Sequence, residues 1–172
     1  MKFPPFKYAV FLFVFLLSAP AAAQPVPREN ESTGESGLPI PRFVSISARE
    51  ANLRAGPGEQ YPIEWVYNRA LYPLEVIGEY ENWRQVRDID GTEGWMHVAL
   101  LSGKRTALVT AGPETLYEDP SEAAFPAARV EAGVVGEILE CTPVWCRVDF
   151  AGNRGWIRTR ALWGTYRDEV IE

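Results

Sequence analysis

The chain reads as all-β, two small barrels in tandem, and three features of the sequence predict this. The first is a repeated hairpin. Trp83-Arg84-Gln85-Val86-Arg87-Asp88-Ile89-Asp90-Gly91-Thr92-Glu93-Gly94-Trp95-Met96 returns as Trp145-Cys146-Arg147-Val148-Asp149-Phe150-Ala151-Gly152-Asn153-Arg154-Gly155-Trp156-Ile157, with Arg87 as one extra residue in the first copy. A repeat this long sets an architecture of two like units. The second is Asp90-Gly91 between runs of β-forming residues, a hairpin signal because the turn needs positive φ, which glycine adopts without steric cost. The third is a series of short strand candidates split by turn residues, with no amphipathic helix of useful length among them.

Taken in order, residues 1–23 have the form of an export signal. Lys2 and Lys7 supply its positive end, Tyr8 to Leu17 an apolar run, and Ala21-Ala22-Ala23 a small-residue cleavage site before Gln24. The apolar run is short for a bilayer span, so a cleaved signal is expected rather than an uncleaved anchor. No cysteine marks a lipid attachment site. The expected product is an exported protein, periplasmic in the simplest case, with no stable membrane span after cleavage.

Residues 24–42 are rich in Pro, Glu, Ser and Gly and hold no large apolar residue before Leu38 apart from Val26. Such a composition buries too little surface to offset its ordering entropy, so a disordered linker is expected. Barrel 1 is expected over residues 43–103. Its strand candidates are Phe43 to Ile46, Asn52 to Arg54 before a Gly-Pro-Gly loop, Tyr61 to Tyr67, Leu74 to Tyr80 and the repeated hairpin, with Val98 to Leu101 closing the unit. Barrel 2 is expected over 104–167, followed by a tail, 168–172. Thr106 to Thr110 fits either barrel. Each unit has about sixty residues, a size at which a lone core is marginal.

The charge is −6, and −8 once Lys2 and Lys7 leave with the signal. A nucleic-acid partner would want a basic stripe, so that class is set aside. There is no phosphate loop, nucleophile elbow or zinc-protease helix motif, and no cofactor is expected. A cell-wall hydrolase is the lesser alternative: it needs a carboxylate pair, and Asp88, Asp90 and Glu93 surround a turn, where acids are ordinary, so nothing marks one.

Asn52-Leu53-Arg54-Ala55-Gly56-Pro57, the apolar strand before Gly78, Trp83-x-x-Val86 and Gly94-Trp95-Met96 followed by Leu100 together resemble bacterial SH3-type (SH3b) domains, in a tandem form found in exported bacterial proteins. The resemblance covers about residues 45 to 165. It is weaker at the start of the second copy, where Thr115-Leu116-Tyr117-Glu118-Asp119-Pro120 replaces the Asn-Leu-Arg signature. It implies a barrel of about five strands that binds cell-wall peptides or protein segments, without catalysis.

Strand alternation adds an expectation of its own. If Val86 points inward, Trp83 lies on the opposite parity and faces outward. Met96 and Ile157, as the inward aliphatics, likewise turn Trp95, Trp156 and His97 outward, and Trp145 follows Trp83. Outward indoles on a hairpin form an aromatic platform for a ligand. The same rings serve equally to cap the barrel ends or to pack the two units together. The first unit carries more aromatics, so the candidate ligand-binding set is Tyr61, Trp65, Trp83 and Trp95, with Arg54 and Asp88 as polar partners. The ligand would be a peptidoglycan peptide or an envelope-protein segment.

Cys141 and Cys146 are the only cysteines, on the two arms of the second hairpin. In an exported chain such a pair favours a disulfide over a metal site, which needs four ligands. His97, the only histidine, is expected on the solvent face of its strand and not in a zinc site or a Cys-His dyad.

Overall fold

A computed structural model describes residues 32–172. The expected signal and the first part of the expected linker lie outside the described residues. The strands of the first half are β1 (Ser32–Thr33), β2 (Pro39–Ile40), β3 (Arg42–Ile46), β4 (Ala51–Arg54), β5 (Ile63–Tyr67), β6 (Pro73–Tyr80), β7 (Trp83–Arg87), β8 (Glu93–His97) and β9 (Leu101–Ser102). Those of the second are β10 (Thr106–Val109), β11 (Glu114–Tyr117), β12 (Pro126–Val130), β13 (Val135–Cys141), β14 (Trp145–Phe150), β15 (Asn153–Arg158) and β16 (Leu162–Trp163). A single turn of 3-10 helix precedes each closing strand, at Val98–Leu100 and Thr159–Ala161.

Two seven-stranded sheets share one topology. The first runs β5-β4-β8-β7-β6-β3-β9 and the second β12-β11-β15-β14-β13-β10-β16. Even the irregularities repeat. Register shifts fall between Leu53 and Arg54 and between Leu116 and Tyr117, and again between Val76 and Gly78 and between Ile138 and Glu140. Bulges increase local twist and bend a strand, which helps a short sheet curl upon itself. Thr106 to Val109 belongs to the second unit, paired to both β13 and β16.

The alternation expected from sequence is present. Val86, Met96, Val148 and Ile157 are fully buried, beside Ile46, Leu53, Leu74 and Val76 in one core and Val109, Leu116 and Phe150 in the other. The repeated Gly-Trp follows from this packing. A Cβ on Gly94 would sit 2.6 Å from the Leu53 side chain, and one on Gly155 would sit 2.7 Å from that of Leu116. In the second hairpin Ala151 and Gly152 both have positive φ, the type I′ geometry that matches strand twist. Asp149 caps the turn by accepting from the Gly152 N–H at 2.6 Å.

Two expectations are corrected. The part of the expected linker that is described is ordered: β1 and β2 form a hairpin strapped to the first barrel. Glu79 anchors it, accepting from the Ser36 N–H and hydroxyl, each at 2.7 Å, and pairing with Arg42 at 2.6 Å and Arg84 at 3.2 Å. Composition misses this because the anchor is a buried carboxylate 43 residues away. The expected tail is also pinned, since Ile171 exchanges two backbone hydrogen bonds with Cys141 and Glu169 pairs with Arg105.

The two units are docked. Phe43 of the first, nearly buried, meets Trp163 edge-on at 5.1 Å and Tyr166 at 4.7 Å. The Tyr166 hydroxyl donates to buried Glu75 at 2.9 Å, and Arg69 donates to the Gly133 carbonyl at 2.7 Å. Glu75 also receives Arg87, whose guanidinium is held charged above its usual range chiefly by that hydrogen bond.

Candidate functional site

The outer face of the first barrel is set by register. Trp83 lies opposite Tyr80 on one side and His97 on the other, and Trp95 lies between Arg54 and Gln85. Each of these side chains alternates with a buried neighbour on its own strand or sits at its end, so the face is built by parity. Trp83 and His97 meet at right angles, their ring centroids 5.3 Å apart. His97 Nδ1 accepts from the Ala99 N–H at 3.2 Å, which orients the imidazole and places the remaining ring proton on Nε2.

Beside this pair is a groove of about 250 Å³ lined by Asn52, Arg54, Glu59, Trp83, His97, Ala99 and Leu100. Arg54 shapes one wall. Its guanidinium donates to the carbonyls of Glu59 at 3.1 Å and Tyr61 at 2.8 Å, tying down the loop that follows β4. Glu59 is exposed on that loop, and among the described residues no ion pair engages its carboxylate.

The expected site residues therefore fall into three groups. Trp83 and Arg54 line the groove, and Trp95 shares their face without lining it. Tyr61 is exposed on the loop Arg54 holds, its ring against Gly56. Trp65, more than half exposed, stands on the edge strand β5 beside Ile63 and Val66, on a separate shallow surface.

Asp88 is buried, and the role expected of it is corrected. One carboxylate oxygen accepts from the Tyr67 hydroxyl at 2.9 Å and the other from the N–H groups of Asp90 and Thr92, so it organises the hairpin turn. Burial, with the Asp88 hydrogen bond and charge adding to it, pushes the Tyr67 hydroxyl well above the ordinary tyrosine range. His97, Asn52 and Glu59 line the groove but were absent from the expected set. The signal for His97 was its position two residues after Trp95, on the same strand face.

The second unit builds the same place differently. Trp145 follows Trp83 in the repeat and keeps its parity, yet it is only 7% exposed. Tyr117, at the position of Arg54, meets it edge-on at 5.7 Å, and Arg158, at the position of His97, lies 4.3 Å from its ring centroid. Outward parity thus holds for Trp145 while outward exposure does not. Cys141 and Cys146 face each other in register on β13 and β14 and form a disulfide. Among the described residues, no three His, Cys, Asp or Glu side chains gather where they could hold a metal ion.

A family model described as a bacterial SH3 domain matches residues 47–103 and again residues 111–164. The chain belongs to the bacterial SH3 domain family. The two matches fall on the two sheets, so the chain carries tandem SH3 domains, which are binding modules.

Among solved structures, NlpC2 from Trichomonas vaginalis is 17% identical, matched over 74% of this chain and 49% of that one with a TM-score of 0.34. NlpC1 from the same organism is 16% identical, over 81% and 51%, with a TM-score of 0.34. An NlpC/P60 family protein from Bacillus cereus is 16% identical, over 73% and 57%, with a TM-score of 0.31. The tandem SH3 chain spans about half the length of these structures. Comparison with curated proteins gives no match.

Proposed function

We propose that this tandem SH3 chain is an exported, non-enzymatic binding protein of the cell envelope. Its first domain holds a peptide-like ligand, a peptidoglycan peptide or an envelope-protein segment, in the groove beside Trp83. The observation that carries this reading is the contrast between the domains: Trp83 borders an open groove, whereas Trp145 is covered by Tyr117 and Arg158. Stacking on an indole is a common source of affinity in a shallow site, and Arg54 and His97 add polar contacts. The disulfide fits an oxidising compartment.

The assembly reading, in which the outward indoles join the two barrels, draws less support. The aromatic contacts that cross between the domains come from Phe43 on β3, Trp163 on β16 and Tyr166 just after it.

Titration with soluble peptidoglycan fragments, followed by tryptophan fluorescence and calorimetry, tests the reading. The expected result is saturable binding with one site per chain, abolished by Trp83→Ala and kept by Trp65→Ala. No saturable binding, or binding indifferent to Trp83→Ala, would sink it.

A further inference from the structure

The two domains place the same parts in the same order, and the second shows its groove filled. Glu59 and Glu122 stand at the same place in the repeat, each five residues after the end of the preceding strand, at Arg54 and Tyr117. In the second domain Glu122 receives Arg158 at 3.1 and 2.9 Å, and that guanidinium also lies over Trp145. A cation is thus held between a loop carboxylate and an indole, the arrangement that the negative face of an aromatic ring favours. In the first domain the indole and the carboxylate are both present, as Trp83 and Glu59, and both line the groove. No cation stands at the strand position that Arg158 occupies in the second domain. That position belongs to His97, shorter than arginine and tied back to the Ala99 N–H.

We infer that the Trp83 groove takes a cationic side chain, an ammonium or guanidinium group carried by its peptide ligand, between the indole of Trp83 and the carboxylate of Glu59. The second domain carries its own substitute for that ligand, which is why it is closed. This inference rests on the binding reading above and names the chemistry of its ligand. Arg54 lines the same groove: its Nη1 donates to the carbonyls of Glu59 and Tyr61, which holds the Glu59 loop in place, and a bound cation shares the field of Glu59 with its charge. The chain's net charge of −6 also favours approach of a cation.

The probe is the peptide acetyl-Ala-Lys-Ala-amide and its Nε-acetylated form, titrated at low salt into the whole chain and into its Glu59→Gln variant. Tryptophan fluorescence reports binding. Acetylation of the lysine is expected to weaken binding roughly ten-fold, and Glu59→Gln to weaken binding of the free-amine peptide by roughly five-fold, with its dependence on salt reduced. Glu59 is exposed, so the variant folds, and an unchanged thermal midpoint checks this. Equal affinity for the two peptides, no effect of Glu59→Gln, or no saturable binding of the lysine peptide overturns the inference. Wall fragments titrated in parallel separate the two claims. If they bind through Trp83 while lysine acetylation changes nothing, the cation site falls and the wall reading stands. If the lysine peptide behaves as described and the fragments do not bind, the wall reading falls and the cation site stands.

Discussion

Arg158 lays its guanidinium 4.3 Å from the centre of the Trp145 ring, at the repeat position where His97 meets Trp83 at right angles. The aliphatic stem of an arginine in this setting covers apolar surface while its head stays paired, here with Glu122. Arg158→Ala should therefore uncover Trp145, shift its emission to the red and lower stability by about 0.5–2 kcal/mol. His97→Ala should leave the Trp83 emission closer to that of the parent and cost about 0.5–1 kcal/mol, through loss of the acceptor for the Ala99 N–H. Equal red shifts from the two substitutions would show that the domains do not differ in this way.

Asp88 separates turn structure from ligand contact. Replacing it with alanine removes the one oxygen that accepts two N–H bonds of the turn and strands the buried Tyr67 hydroxyl. An unsatisfied buried polar group costs about 1–3 kcal/mol, so Asp88→Ala should lower the unfolding free energy by that amount, read as a lower denaturation midpoint. Tyr67→Phe should cost about 1 kcal/mol, because Asp88 keeps its other partners. Where Asp88→Ala remains folded, ligand affinity measured by titration should stay close to that of the parent. A large loss of affinity without loss of stability would return Asp88 to the binding set.

These residues also show which parts of the fold were legible in the chain. Inward Val86, Met96 and Ile157 followed from alternation, and the pairing of Cys141 with Cys146 followed from their flanking positions in one hairpin. Both are local signals. The rest depended on partners distant in sequence. Trp145 is covered by Tyr117 and Arg158 from two other strands. The strap of β1 and β2 looks too polar and proline-rich to order, and it orders because Glu79 receives it. Asp88 sits among ordinary turn acids until Tyr67 is folded against it. Glu59 is one exposed acid among many, and only the matching Glu122–Arg158 pair gives it meaning.

Phe43 carries the joint between the domains. It is buried between Trp163 and Tyr166, with Arg105 near its ring face. Phe43→Ala should cost about 3–5 kcal/mol and split one cooperative unfolding transition into two, seen by calorimetry. Tyr166→Phe, which removes the hydrogen bond to Glu75 and keeps the ring against Phe43, should cost about 1 kcal/mol and keep a single transition. Retention of one transition in both variants would mean that the coupling lies elsewhere.

The Cys141–Cys146 bridge closes a small loop between neighbouring strands. In the chain-entropy model such a loop contributes about 2 kcal/mol. A double replacement by alanine should lower the unfolding free energy by about that much, and Cys141 also pairs through its backbone with Ile171. Hydrogen exchange at Ile171 should therefore rise in the variant, while exchange at Val86 in the first domain should hold. Unaltered exchange at Ile171 would disconnect the bridge from the pinned C-terminal segment.

Acid should release the strap before it unfolds the barrels. Burial alone would raise the Glu79 carboxyl, but the Ser36 N–H, the Ser36 hydroxyl and Arg42 outweigh it and bring the group down to about 2. Because this value lies below that of an unfolded glutamate, the unfolded chain binds the proton first as acid is added. The contribution of Glu79 is therefore complete above about pH 5 and fades as pH falls toward about 2, and it is on the order of 1–2 kcal/mol after solvent screening. Glu79→Gln should lose about that stability at neutral pH and show a flatter slope across the acid range, because glutamine does not titrate. Proteolysis within residues 32–41 should speed up in the variant at neutral pH and in the parent only on acidification, since an undocked strap exposes its backbone. An acid slope identical in the two proteins would mean that another carboxylate governs the transition and that the strap is held by its hairpin contacts alone.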